Sequence, residues 1–253
     1  MDEAFSASGP APVDLGTKGV LRDTYAVYRR LFLRTMLVGG LVFGAIELYD
    51  AYVSTHGGGM LALLTLLAVT IAGTSLVQGS LVDVVRNLHE GRPEQSIRQL
   101  YERSGPRLGA LVGVSLLSAL GLVLGLLALV IPGVILAARW SLAVPIVMLE
   151  GASPIRALKR SNELVRGHTG KVLRVLLNVG VLVAVLGGVI RLVAGGAELL
   201  QLWVTGVLAA ALTAPYLSHA LTVVYYRLTE PERPLVPERP ESWASVWEEQ
   251  DTT

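Results

Sequence analysis

The chain has no cysteine among its 253 residues, and only 16% of them carry charge. Without cysteine there is no disulfide framework, no thiolate nucleophile and no cysteine-ligated metal. A water-soluble domain of this length carries about a quarter charged residues, so the deficit argues against a conventional soluble core. Aromatic residues are scarce at 6%, and lysine is nearly missing, with only Lys18, Lys159 and Lys171. Arginine-heavy, alanine- and glycine-rich composition suggests a GC-rich bacterial genome. A formal net charge of +1 gives no reason to expect nucleic acid as a partner. The first thirty residues are polar and lack the short apolar core of a cleaved secretion signal. The first membrane span is therefore expected to be kept as its own targeting signal.

What the chain does contain is apolar residues in long blocks. Stretches of lipid-spanning length occur at about 33–53, 60–82, 108–131, 133–149, 172–193 and 199–226. Glu47 and Asp50 interrupt the first. Residues Leu108 to Leu149 form forty-two positions with one charge, Arg139. At about 1.5 Å per residue that is twice the thickness of a bilayer. Pro132-Gly133 near the middle is a turn signal, which predicts a hairpin of two spans. Ala194-Gly195-Gly196 signals a turn between the last two. Residues 1–16 and the Pro- and Glu-rich 229–253 read as disordered tails around one membrane domain, 17–228, with Trp243, Val246 and Trp247 as candidate interfacial contacts.

Charge placement supports six crossings. The N-terminal arm, 83–107, 150–174 and the C-terminal tail hold nineteen of the twenty-one Lys and Arg, and the connections 54–59, 132–133 and 194–198 hold none. Short basic loops stay on the cytoplasmic side. The expectation is an all-α, polytopic helix bundle in a bacterial inner membrane, with both termini cytoplasmic.

Three segments ahead of odd-numbered spans look alike: Leu21-Arg22-Asp23-Thr24-Tyr25, Ile97-Arg98-Gln99-Leu100-Tyr101 and Ile155-Arg156-Ala157-Leu158-Lys159. They suggest a threefold repeat of amphipathic helix, span, span. In the third, Ser153 can cap a helix with Pro154 in its first turn, and Gly167 can end it. Ile155, Leu158 and Val165 would lie along one side. Arg156, Lys159, Arg160 and Arg166 would supply charge for anionic lipid headgroups, at about 1 kcal/mol per basic residue near the surface. The same charges could serve only to set topology.

The run Ile131-Pro132-Gly133-Val134-Ile135-Leu136-Ala137-Ala138-Arg139-Trp140 continues to Leu149-Glu150-Gly151, Ser153-Pro154, Ala157-Leu158-Lys159-Arg160-Ser161 and Leu164-Val165-Arg166-Gly167. It resembles the membrane domain of bacterial glycerophosphoryl diester phosphodiesterases and related stand-alone six-span proteins of unknown function. The looser resemblance in span layout covers about 18–228. In that family the membrane domain can be fused to a soluble catalytic barrel of roughly 250 residues, for which this chain has no room. The resemblance implies membrane architecture and does not carry phosphodiesterase activity.

Familiar catalytic patterns are incomplete. His56-Gly57-Gly58-Gly59 resembles an esterase oxyanion loop, but no nucleophile elbow accompanies it. Gly167-His168-Thr169-Gly170-Lys171 lacks Walker A spacing, and His89-Glu90 lacks a second His at metalloprotease spacing. No cofactor is expected.

Polar side chains within spans are costly to bury and so are informative. Glu47 and Arg139 both fall about 10 Å below the outer surface at helical rise, and pairing between them is expected. Gln78, Asn178 and His219 share a shallow depth on the inner side. They could line a polar cavity or make interhelical hydrogen bonds. The leading expectation is a non-enzymatic membrane protein engaging lipid or a protein partner, including a second copy of itself. A small-solute permease and an anchor subunit for a separate enzyme remain open alternatives.

Overall fold

In the computed structural model, which describes residues 15–92, 95–194, 199–231, 233 and 235, every regular element is helical. The helices are α1 (Thr17–His56), α2 (Met60–His89), α3 (Ile97–Ser104), α4 (Leu108–Ala128), α5 (Val130–Trp140), α6 (Ala143–Glu150), α7 (Pro154–Val165), α8 (Thr169–Ala194) and α9 (Leu199–Thr229). A 3-10 turn at Gly105–Arg107 joins α3 to α4. Six segments are long and apolar enough to cross a membrane: α1, α2, α3 with α4, α5 with α6, α8 and α9. Their outer surfaces carry bare aliphatic side chains, among them Leu37 and Leu41 on α1, Leu61 and Leu67 on α2, Leu120 and Leu127 on α4, and Val181 and Val185 on α8. In water a patch this large would drive association; in lipid it is the ordinary outside of a bundle. The chain is a six-span polytopic membrane protein.

The bundle closes by packing α1 along α9, while α2 touches α1, α4, α6 and α9, with its buried residues in the second half, from Ser75 to His89. One end, called here the basic end, holds the starts of α1, α3 and α7 and the ends of α2 and α9. The other, the glycine end, holds the turns at 57–59 and at Leu129. The first of these contains Gly57, with φ of 75°, a left-handed conformation that only glycine adopts without strain.

The hairpin between spans three and four forms, but not at Pro132-Gly133. The chain turns at Leu129, which is extended (φ −167°, ψ 143°), and Pro132 sits in the first turn of α5. There its missing N–H is one the helix would leave unused anyway. Gly133 instead permits contact: a Cβ built on it would lie 2.7 Å from the backbone nitrogen of Leu126. A second difference is that span four is broken. The helix stops at Trp140, passes through Ser141 and Leu142, and restarts as α6. The turn expected at Gly195-Gly196 lies outside the described residues, as do 1–14, 236–253 and the three candidate interfacial contacts in the C-terminal tail. Two residues assigned to the tails pack on the bundle: Leu15 is 2% exposed and Leu235 is 8% exposed.

Buried positions recur in these three helices, with a different register from the one the sequence suggests. The N-caps are Gly16, Ser96 and Ser153. Four residues beyond each stand Val20, Leu100 and Ala157; eight beyond stand Thr24, Ser104 and Ser161. All six are fully buried. Counting from the caps moves the third segment by one residue and the first by four relative to the matched five-residue segments of the sequence. Buried faces, not the similar-looking Arg-containing runs, carry the equivalence. The first segment also differs in form: its helix runs without interruption into span one, making α1 forty residues long.

Candidate functional site

The basic helix α7 is bounded by two glycines in left-handed conformations, Gly151 (φ 66°) and Gly167 (φ 88°). Ser153 occupies the N-cap position, yet its hydroxyl accepts from Arg156 Nε (3.2 Å) and caps no backbone N–H. The helix docks into the bundle through Ala157, Leu158, Ser161 and Val165, against α4, α5 and α6. Ile155, expected on that buried side, is instead 62% exposed. The reason is angular: Ile155 lies about 200° around the helix from Ala157 at 100° per residue, so burying one exposes the other.

Ser161 is the anchor of the docked face. Its hydroxyl donates to the carbonyl of Arg139 (2.7 Å) and accepts from the Leu142 N–H (3.1 Å), bridging the break in span four. A break inside lipid leaves backbone groups that each cost several kcal/mol if unpaired. A side chain from α7 supplies partners for two of them. Glu150, at the end of α6, accepts from the Tyr225 hydroxyl of α9 (3.0 Å) and lies 3.5 Å from Arg160 Nε. Arg160 also approaches Glu163 at 3.9 Å.

The outward face of α7 is then left with Arg156, Lys159, Arg160 and Arg166 exposed. Among the described ion pairs, only Arg160 of these four has a carboxylate partner. Arg156, Lys159 and Arg166 thus present positive charge with no described carboxylate at ion-pair distance, on the helix whose exposed residues include Ile155. Among the described residues, no group of three or more His, Cys, Asp or Glu could hold a metal ion, and there is no obvious catalytic site.

The structure does not bring Glu47 and Arg139 together. The Glu47 carboxylate lies against Gly206 on α9, so closely that a Cβ there would collide with it. Arg139 is on α5, which packs against α4, α7 and α8, and no described ion pair includes it. Its Nε is buried without a partner. Equal depth in the membrane does not mean a shared interface, and α1 and α5 belong to different neighbourhoods.

The inner polar trio separates in the same way. Asn178 is exposed on α8 and its amide donates back to the Arg174 carbonyl (2.7 Å). His219 is fully buried with neither ring nitrogen hydrogen-bonded, edge-on to Tyr28 at 6.3 Å between ring centroids. Gln78 lines a cavity between α2, α6 and α9 together with Ser218. Consecutive residues on a helix point about 100° apart, so Ser218 and His219 serve different interfaces.

A polar knot at the basic end escaped the sequence reading, which ends span two at Val82. In fact α2 runs on to His89, with Val84 and Val85 continuing its buried face. His89 is buried against Tyr226, with Nε2 3.2 Å from Glu230 Oε2 and Nδ1 3.4 Å from the Leu235 carbonyl. Arg233 donates to the His89 carbonyl at 3.1 Å, and Arg227 pairs with Asp23 at 2.6 Å, tying the two terminal helices together. The signal that could have revealed it is the apolar periodicity of Val84, Val85 and Leu88, which runs past the first charge.

No protein-family model matches the chain, and comparison with curated proteins and with solved structures finds no significant match.

Proposed function

We propose that this chain is a non-enzymatic membrane protein of a bacterial inner membrane, with both termini cytoplasmic, whose basic end holds anionic lipid headgroups through the outward face of α7. The observation that carries this reading is the division of α7 into two faces. One is committed to the bundle through Ser161 and its buried neighbours, and the other presents Arg156, Lys159 and Arg166 with no carboxylate partner. Charges needed only to set topology require no docked helix to display them. Docking holds these side chains in place before a lipid arrives, which lowers the entropy lost on binding. The exposed Ile155 gives the same face an apolar group for the acyl boundary.

Native mass spectrometry of the purified chain, titrated with phosphatidylglycerol, tests the reading. Replacing Arg156, Lys159, Arg160 and Arg166 with glutamine is expected to weaken retention at least about tenfold, given roughly 1 kcal/mol per basic residue. Arg160→Gln alone is expected to do little, since Glu150 and Glu163 already occupy that guanidinium. Equal retention by the fourfold variant and the native chain would refute the proposal.

A further inference from the structure

The cavity between α2, α6 and α9 has a chemistry unrelated to the basic face of α7. Its volume is about 110 Å³. A single water needs about 10–15 Å³, so the space admits a molecule of several non-hydrogen atoms. Two polar side chains line it, Gln78 from α2 and Ser218 from α9. Ser218 is 6% exposed, and no hydrogen bond to the side chain of either residue exists among the described residues. The rest of the wall is aliphatic, including Val82, Val144 and Leu221.

Buried polar groups without partners are rare, because each one left unpaired costs about 1–3 kcal/mol. The Ser218 hydroxyl and the amide of half-buried Gln78 both line this cavity without a partner among the described residues, so a hydrogen-bonding occupant would satisfy both. The amide and the hydroxyl can each both donate and accept. No ionised side chain lines the space, and an uncompensated charge in such a wall would carry a desolvation cost of several kcal/mol.

The cavity also sits where the bundle departs from regular helix. Val144 and Pro145 belong to α6, the short half of the broken fourth span, and Pro145 has no N–H to give the Ser141 carbonyl. Discontinuous spans at a polar cavity are how membrane bundles build solute sites. The three lining helices belong to the even-numbered spans.

We propose that this cavity is a binding site for a small uncharged solute with hydroxyl or amide groups, held by Gln78 and Ser218. A charged solute of the same size is excluded by the aliphatic wall. The site does not rest on headgroup binding by α7, and either can fail without the other.

The absence of native cysteine makes a direct test possible. Ala214 and Leu217 also line the cavity without contributing polar side-chain groups. Ala214→Cys and, separately, Leu217→Cys serve as reporters in the purified full chain, labelled with methyl methanethiosulfonate and read by intact mass. Thr222→Cys, at a fully buried position outside the cavity wall, is the comparator. The expected result is labelling at 214 or 217 but not at 222, slowed at least threefold by ethylene glycol and unaffected by equimolar acetate or ethylammonium. Adding Gln78→Leu to the reporter chain is expected to leave labelling intact and abolish the protection. The proposal is overturned if neither reporter reacts while circular dichroism shows a folded chain. It is equally overturned if ethylene glycol gives no protection, or if the charged solutes protect as well.

Discussion

Helices α3 and α7 are built alike and used differently. Each begins at a serine, Ser96 or Ser153, and each buries a small hydroxyl residue eight positions on. In α3 the cap is complete: Ser96 accepts from the Gln99 N–H, and the Gln99 side chain accepts from the Ser96 N–H, a reciprocal pair that satisfies two end groups. Ser104 then bonds back to its own Leu100 carbonyl (3.1 Å) and meets Ser80 of α2 (3.1 Å), a continuous helix whose backbone groups are already paired. In α7 the cap is incomplete, and Ser161 faces a span that is broken. The same buried hydroxyl is a small packing contact in one copy and the completion of a neighbouring backbone in the other. A repeat supplies a group at a position; the element across from it decides what the group is worth.

Several substitutions would break or sharpen that contrast. The largest effect is expected from Leu100→Ala. This fully buried side chain stands where α7 has Ala157, and its removal should cost about 2–5 kcal/mol in reversible unfolding. If the cost were under 1 kcal/mol, position four of the repeat would not be a core position. Next comes Ser161→Ala, which leaves the buried Leu142 N–H and a carbonyl of the break unpaired, for about 1–3 kcal/mol. Ser104→Ala is expected to cost less, because Ser80 keeps its bond to the Leu76 carbonyl. Equal losses at the two serines would show that the break in span four needs no bridge. The smallest effect is expected at Ile155→Ser, within about 0.5 kcal/mol of the native stability, since the side chain is outside the docked face. A large loss there would place Ile155 back in the core.

Much of the architecture was legible from the chain alone. Six apolar stretches separated alternately by basic connections and connections without Lys or Arg predict six crossings, because charge in lipid is costly wherever it falls. The features misread share one cause. Pro132-Gly133 has the composition of a turn, but a proline is equally at home in the first turn of a helix, and only the path of the chain shows that Leu129 does the turning. Glu47 and Arg139 match in depth, as do Gln78, Asn178 and His219. Depth follows from counting along a helix. Direction around the helix axis, relative to neighbours not yet placed, does not. The register of the repeat was hidden for the same reason: Val20, Leu100 and Ala157 have little in common as residue types, and are equivalent only because each is buried at the same distance from its cap.

The residues taken one after another determined that this protein crosses a bilayer, how often, and which connections carry its positive charge, since those follow from transfer energies that add up along the chain. Tertiary structure alone decided that span four breaks and is bridged by Ser161, that α7 turns Ile155 outward, and that Gln78 and Ser218 line one cavity. Those outcomes depend on which helices become neighbours, and close packing between distant segments is a property no single segment possesses.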